Sequence, residues 1–133
     1  MKNSNTKLIE MFYHDLWNNF NKLLIPEILD NNLKFRGSLG DIKHGHTGFT
    51  DYVNQVKNFS ADFHNEILEI ITEDNKSFVK LKFSGTHSGE IFDIKATQKK
   101  FIYHGAAVFK FNNELITEIW VLGDLLNLIK QLK

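Results

Sequence analysis

Cysteine is absent from the chain of 133 residues, proline occurs once, and neither sign of charge is in excess. Without cysteine the protein can form no disulfide, no thiolate metal site and no thiol nucleophile, and its composition suits a reducing cytosol. Sixteen Lys and Arg residues balance sixteen Asp and Glu residues, so the positive excess with which proteins neutralise nucleic-acid phosphates is missing. The composition therefore argues against nucleic acid as a partner.

Long apolar segments are missing as well. No run of about 18 apolar residues is present, which argues against a membrane-spanning helix. The first residues carry Asn, Glu, His and Asp where a signal peptide needs an apolar core, so we expect a cytoplasmic protein that does not bind membranes. Hydrophobic residues still make up 42% of the chain and include twelve Phe, which suits the packed core of a single domain over residues 1–133.

The first half of the chain has the spacing of amphipathic helices. Apolar residues recur at steps of three and four along 5–23 and again along 47–59. Pro26 ends the first helix and begins a short second helix at 26–29. We interpret the intervening residues as a short strand at 31–36 and a loop at 37–46.

The second half changes to a period of two, interrupted by turn-forming clusters. This pattern predicts four strands at 63–73, 77–88, 100–112 and 114–123, followed by a short helix at 124–132. Neighbouring strands of this kind pair as antiparallel hairpins. Helices followed by consecutive strands predict an α+β fold in which the sheet curls around the helical layer.

Strand alternation also predicts which polar side chains are enclosed, because residues two apart share a face. His87 continues the apolar series that contains Val79 and Phe83, so we expect it to point inward. Asp124 ends a series that contains Trp120, which predicts a carboxylate beside an indole at the rim of the enclosed space.

A carboxylate in apolar surroundings is desolvated, which favours its use in proton transfer. Asp124 is therefore the candidate catalytic acid/base. His87 and His104 are further catalytic candidates, since a neutral imidazole can polarise a carbonyl or pass a proton. Substrate contacts are predicted for a group of aromatic and basic residues, namely Tyr13, Trp17, Arg36, His64, Tyr103 and Trp120.

Each candidate also has a purely structural interpretation. Asp124 is suited to cap the terminal helix, His87 fits a hydrogen-bonded core histidine, and the aromatic candidates fit the core. Arg36 and His64 fit surface groups at strand ends. The HGH segment at 44–46 lacks the further ligands that a metal site needs, so no metal and no cofactor is predicted.

Several motifs carry a family resemblance over nearly the whole chain. They are FYHDLWNNFN in the first helix, G-T-H-S-G at 85–89, and the tail W-x-x-x-D-x-x-x-L-x-x-Q-L from Trp120 to Leu132. Together they resemble the SnoaL-like polyketide cyclase or predicted ester cyclase family of the nuclear-transport-factor-two-like superfamily. The resemblance implies a cystatin-like cone in which N-terminal helices pack in a strongly curved, mainly antiparallel sheet around an apolar pocket. It also implies a homodimer or a higher homo-oligomer formed through the sheet.

The same resemblance implies a reaction. Asp124 matches the aspartate that acts as acid/base for intramolecular aldol ring closure in this family, and His87 matches a pocket residue. The expectation is a cofactor-independent cyclase or isomerase acting on a small apolar carbonyl or ester compound. Two alternatives stay open: a small-molecule binding module of the same fold without catalysis, and a dimerising accessory protein whose pocket is filled by its own Phe side chains.

Overall fold

The structure is a computed structural model that describes residues 4–133. Its helices are α1 (Ser4–Glu10), which continues into a π-helix (Met11–Asn18), a 3-10 turn (Lys22–Leu24), α2 (Ile25–Ile28), α3 (Gly45–Phe59) and α4 (Leu125–Leu132). Its strands are β1 (Leu29–Arg36), β2 (Ile42–His44), β3 (His64–Glu73), β4 (Lys76–Thr86), β5 (Lys100–Asn112) and β6 (Leu115–Gly123). No helix among residues 4–133 is both long and apolar enough to cross a membrane.

The six strands form one curved sheet in the order β2-β1-β6-β5-β4-β3. Every neighbouring pair is antiparallel except β1 and β6, which are parallel. The predicted α+β class and the mainly antiparallel sheet are therefore confirmed. Strand β2 was predicted as loop, since an edge strand of three residues is too short to show a period of two.

The first predicted helix differs from a regular α-helix. It widens into the π-helix, ends at Asn18, and is followed by Phe20 in a left-handed conformation with φ 55°. A π-helix takes more residues per turn than an α-helix. Two consecutive residues of one turn can therefore lie on the core face together with the two consecutive residues one turn later. Phe12, Tyr13, Leu16 and Trp17 are accordingly all buried.

A β-bulge in β6 changes which side chains point inward. Lys110 of β5 lies opposite Glu118, whereas its neighbour Phe111 lies opposite Ile116, so Thr117 is an extra residue in β6. Its hydroxyl donates to the Lys110 carbonyl at 3.2 Å. Beyond the bulge the alternation is reversed.

The reversal corrects one prediction from the sequence. Ile119 and Val121 are buried in the core, while Trp120 is 43% exposed on the outer face of the sheet. The prediction that Trp120 lies beside Asp124 at the rim of the enclosed space is wrong, because it assumed an uninterrupted period of two.

Candidate functional site

One pocket lies inside the fold, between the π-helix, α3 and the concave face of the sheet. The empty space in and in front of the pocket totals about 300 Å³ including open solvent, and only about 20 Å³ of it is wide enough for the centre of a water molecule. Its walls are mainly aromatic and consist of Phe12, Tyr13, Trp17, Phe35, Ser38, Tyr52, Val56, Phe63, Asn65, Phe83 and Val121. Pockets of this kind suit an apolar ligand oriented by a few polar groups.

Hydroxyl groups supply most of the polarity of this pocket. The Ser38 hydroxyl and the Tyr103 hydroxyl, which lies behind it, are 3.0 Å apart and hydrogen-bonded. The Tyr52 hydroxyl accepts a hydrogen bond from the backbone N–H of Leu39 at 3.2 Å. The Tyr13 hydroxyl is buried and has no hydrogen-bond partner within residues 4–133. The pocket therefore has one wall of hydrogen-bonded hydroxyls and one hydroxyl without a partner.

These phenols are held in their neutral form. Burial raises the pKa of Tyr13, Tyr52 and Tyr103 above the ordinary value of 10.0, because the phenolate would lose its hydration. At neutral pH they are hydrogen-bond donors. No carboxylate and no imidazole lines the pocket within the described part of the chain.

Two glycines make room for this arrangement. A Cβ atom on Gly37 would overlap the Tyr52 ring, and a Cβ atom on Gly123 would lie 3.1 Å from both the Ser38 Cβ and the Tyr103 ring. Sequence reasoning did not identify Ser38, Tyr52 or Asn65 as pocket residues. For Tyr52 a signal existed, since it follows Phe49 at helical spacing on the buried face of α3.

Asp124 lies outside the pocket. It is exposed, and its carboxylate accepts a hydrogen bond from the Asn127 N–H at 3.3 Å as the N-cap of α4. The rest of the tail motif is structural as well. Leu128 and Leu132 are fully buried, and the Gln131 carboxamide donates to the Ile102 carbonyl at 2.6 Å and accepts from its N–H at 3.0 Å. This side chain thereby covers the edge of β5 beyond the end of β6.

His87 points inward, as the alternation predicts, and is 0% exposed. It does not line the pocket. The backbone N–H of Thr97 donates to its Nδ1 at 3.2 Å, and the Thr97 hydroxyl lies 2.8 Å from the same atom. Its Nε2 is buried without a hydrogen-bond partner within residues 4–133. The imidazole therefore holds the segment that connects β4 to β5.

The glycines of G-T-H-S-G serve the same junction. A Cβ atom on Gly85 would overlap the Ser60 hydroxyl, and one on Gly89 would overlap the backbone carbonyl of Asn58. The N–H of Gly89 donates to the Phe59 carbonyl at 2.9 Å. The motif thus packs the end of β4 against the C-terminus of α3.

The other predicted site residues separate into two groups. Tyr13 and Trp17 line the pocket, and Tyr103 lies directly behind Ser38. His64 and His104 are exposed, and the outward position of His104 conflicts with a place beside the pocket, because it alternates with the buried Tyr103.

Arg36 and Trp120 contact each other on the outer face of the sheet. The Arg36 guanidinium lies 5.4 Å from the centre of the indole and donates to the Val121 carbonyl. This position conflicts with substrate contacts inside the pocket, and the bulge in β6 is the physical reason for the outward indole. Among residues 4–133, no three His, Cys, Asp or Glu side chains are grouped as a metal site requires.

Comparisons with known proteins agree with this architecture. The family model described as SnoaL-like polyketide cyclase matches residues 7–132. TsrD from Streptomyces laurentii has a TM-score of 0.85 at 22% identity, over 97% of this chain and 94% of that one. A SnoaL-like polyketide cyclase from Agrobacterium tumefaciens has a TM-score of 0.81 at 18% identity, over 100% of both chains. A search of curated protein sequences gave no match. Since the family model extends over nearly the whole chain, this protein belongs to the SnoaL-like polyketide cyclase family.

Proposed function

We propose that the protein takes a small, largely apolar carbonyl or ester compound into the core pocket and acts on it as a cofactor-independent cyclase or isomerase. The observation that carries this proposal is the aromatic pocket itself, in which buried neutral hydroxyls face an otherwise apolar space. Fixed hydrogen-bond donors in such surroundings stabilise negative charge that develops on a carbonyl oxygen. An enolate is therefore the species that this pocket suits best.

The reaction proposed is an intramolecular aldol closure. A base removes a proton from the carbon next to a carbonyl, and the resulting enolate carbon forms a bond to a second carbonyl carbon of the same molecule. The oxygen of that second carbonyl takes up a proton, so no atom and no electron is gained or lost. The pocket would contribute by holding the two carbonyls close together.

Asp124 is the base in this proposal. It follows Gly123, which packs against Ser38 and Tyr103 at the pocket wall, and it matches the family's acid/base aspartate. Its carboxylate faces solvent as the cap of α4, so it would have to leave the cap to reach a bound substrate.

A ligand-binding module without catalysis is the second candidate. Two observations favour it, since the Asp124 carboxylate is used as a helix cap and the described pocket walls contain no base. In that case the pocket binds a carbonyl compound without converting it.

Substitutions at Asp124 separate the two candidates, because Asn and Ser cap helices about as well as Asp whereas Ala does not. If Asp124 is the base, Asp124→Asn, Asp124→Ser and Asp124→Ala all lower the rate of ring closure by about 100-fold or more. Only Asp124→Ala should also lower the free energy of unfolding, by about 1 kcal/mol. The rate is measured on 2,6-heptanedione, whose closure and dehydration give an enone that absorbs in the ultraviolet.

Asp51→Asn is the control, since Asp51 is an exposed carboxylate on α3, and it should leave the rate unchanged. A wild-type rate retained by Asp124→Asn and Asp124→Ser would contradict catalysis by Asp124 and favour the binding module.

We further propose that the outer face of the sheet joins two copies of the chain. A row of apolar side chains crosses four neighbouring strands, with Ile71 on β3, Phe78 on β4, Val108 on β5 and Trp120 on β6. Leu122 lies beside this row, two residues after Trp120 on β6. We call these five residues the outer apolar patch. Val108 is half-buried and the other four side chains are exposed, and contiguous apolar surface of this kind marks interaction sites. Lys110 and Glu118, 3.5 Å apart beside the patch, compensate each other's charge, and the Arg36 guanidinium beside Trp120 donates to the Val121 carbonyl.

Leu122→Glu tests this second proposal. Leu122 is 52% exposed, so a carboxylate is tolerated in one copy but would be buried against another at a cost of several kcal/mol. We expect light scattering to give the mass of two chains for the wild type and of one chain for Leu122→Glu. Leu23→Glu is the control, because Leu23 is 80% exposed and lies outside the patch. Equal masses for wild type and Leu122→Glu would contradict an interface on this face.

A further inference from the structure

The Tyr13 hydroxyl differs from the other polar groups of the pocket. The Ser38 and Tyr52 hydroxyls, like the Tyr103 hydroxyl behind the wall, have hydrogen-bond partners, and the Asn65 carboxamide donates to the Asn18 side chain. The Tyr13 hydroxyl is fully enclosed and has none within residues 4–133. Buried polar groups in native proteins are almost always hydrogen-bonded, and an exception calls for a specific explanation.

The Tyr13 ring is held in a fixed position. Phe12 contacts it edge to face at a centroid distance of 4.9 Å and an interplanar angle of 81°. Phe109 contacts it at 5.9 Å and 75°. Because these rings are themselves buried, the hydroxyl cannot turn away to find a partner. It is preorganised to meet a group that enters the pocket.

The chemistry of the site defines that group. A neutral phenol donates one hydrogen bond, so its partner must be an acceptor. The walls around it are aromatic, with Trp17, Phe35, Phe63 and Phe83 among them, and aromatic walls pack best against flat rings. The pocket is narrow, since only about 20 Å³ of it is wide enough for the centre of a water molecule, and this favours one ring over a fused system.

We infer that Tyr13 is the hydrogen-bond donor to the ligand's oxygen, and that the pocket selects a single conjugated ring bearing a carbonyl or enol oxygen. This inference rests on the proposed function, in that it requires the core pocket to bind a small molecule. It assigns to Tyr13 the step in which an enolate oxygen is stabilised, whichever residue serves as base.

A pair of probes of equal shape tests the inference. Acetophenone carries a carbonyl acceptor, and α-methylstyrene has a methylene group in its place. We expect the wild type to bind acetophenone about 10-fold more tightly, since a buried donor left without its partner costs a tenfold factor or more. Tyr13→Phe should remove this preference while still binding α-methylstyrene. The carbonyl stretching frequency of bound acetophenone should fall in the wild type and not in Tyr13→Phe.

Stability of the free protein provides a second readout. A buried hydroxyl without a partner destabilises the folded state by the cost of its desolvation. Tyr13→Phe removes this cost, so it should melt at the same temperature as the wild type or higher. Ser77→Ala is the control. Its hydroxyl is buried away from the pocket and is 2.7 Å from the Thr72 hydroxyl, so its loss should lower the melting temperature and leave the probe preference intact.

The outcomes distinguish the inference from the proposal on which it rests. If both probes bind the wild type equally and Tyr13→Phe changes nothing, the core pocket still binds small molecules as proposed, but the role of Tyr13 is overturned. A lower melting temperature for Tyr13→Phe would overturn it too, because the hydroxyl would then have a partner inside the protein. If neither probe binds the wild type, both the inference and the proposed function are overturned.

Discussion

Gly89→Ala is expected to lower the free energy of unfolding by about 3 kcal/mol, the upper end of the usual cost of overpacking. The new Cβ atom would overlap the backbone carbonyl oxygen of Asn58, and a backbone atom at the end of a helix cannot move aside as a side chain can. The hydrogen bond from the Gly89 N–H to the Phe59 carbonyl would be disturbed as well. Since small domains are stable by only about 5–15 kcal/mol, urea denaturation followed by circular dichroism will resolve the loss.

Gly48→Ala is the matched control for this substitution. A Cβ atom on Gly48 would lie 3.2 Å from the Lys43 Cβ, a contact that a small shift relieves. Alanine is favoured over glycine within a helix by about 1 kcal/mol, so this variant should remain within about 1 kcal/mol of the wild type. Equal stability of Gly89→Ala and Gly48→Ala would mean that G-T-H-S-G does not pack β4 against α3 as described.

The protein is also expected to unfold cooperatively in alkali, with its three tyrosines ionising only as it unfolds. The folded protein raises the pKa of Tyr13, Tyr52 and Tyr103 above 10.0 through burial. A group whose pKa is raised by folding stabilises the protein fully below the unfolded value, and this contribution is lost as the pH rises above it. Each tyrosine that stays neutral in the folded state lowers the free energy of unfolding by about 1.4 kcal/mol for every pH unit above 10. Tyr13 and Tyr103 together lower the free energy of unfolding by about 3 kcal/mol at pH 11 and about 5 kcal/mol at pH 12, and Tyr52 adds to this loss in the same direction.

Absorbance at 295 nm, which reports tyrosinate, is measured against circular dichroism at each pH. We expect the two signals to change together in one transition. In Tyr13→Phe one of the three contributions is gone, so the loss of stability per pH unit above 10 should be smaller by about 1.4 kcal/mol. A rise at 295 nm while the circular dichroism is still native would contradict the enclosed position of these phenols.

Much of the secondary structure followed from the sequence, because local spacing decides it. The alternation in β4 predicted that His87 points inward with Val79 and Phe83, and all three are buried. The helical spacing of Phe49, Tyr52 and Val56 likewise predicted the buried face of α3. These elements keep one period from end to end, so a side chain's face can be counted along the chain.

Elements that change period could not be predicted in this way. In β6 the extra residue Thr117 turns Trp120 outward. The bulge depends on how β6 pairs with β5, and the sequence of β6 alone does not indicate it. The π-helix has a similar origin, since its wider turn lets Tyr13 and Trp17 share the core face with their neighbours.

The sequence by itself determined the class of fold, the family to which the chain belongs and the inward position of His87. Composition, local period and motif order act over short distances, and they are readable without coordinates. Only the tertiary structure decided the site. Tyr13, Ser38 and Tyr52 meet in one pocket although 39 positions separate the first from the last, and Asp124 stands outside it as a helix cap. Whether an enclosed polar group reaches the pocket and whether it has a hydrogen-bond partner depend on all the elements packed around it, and the local period along one strand or helix does not encode either.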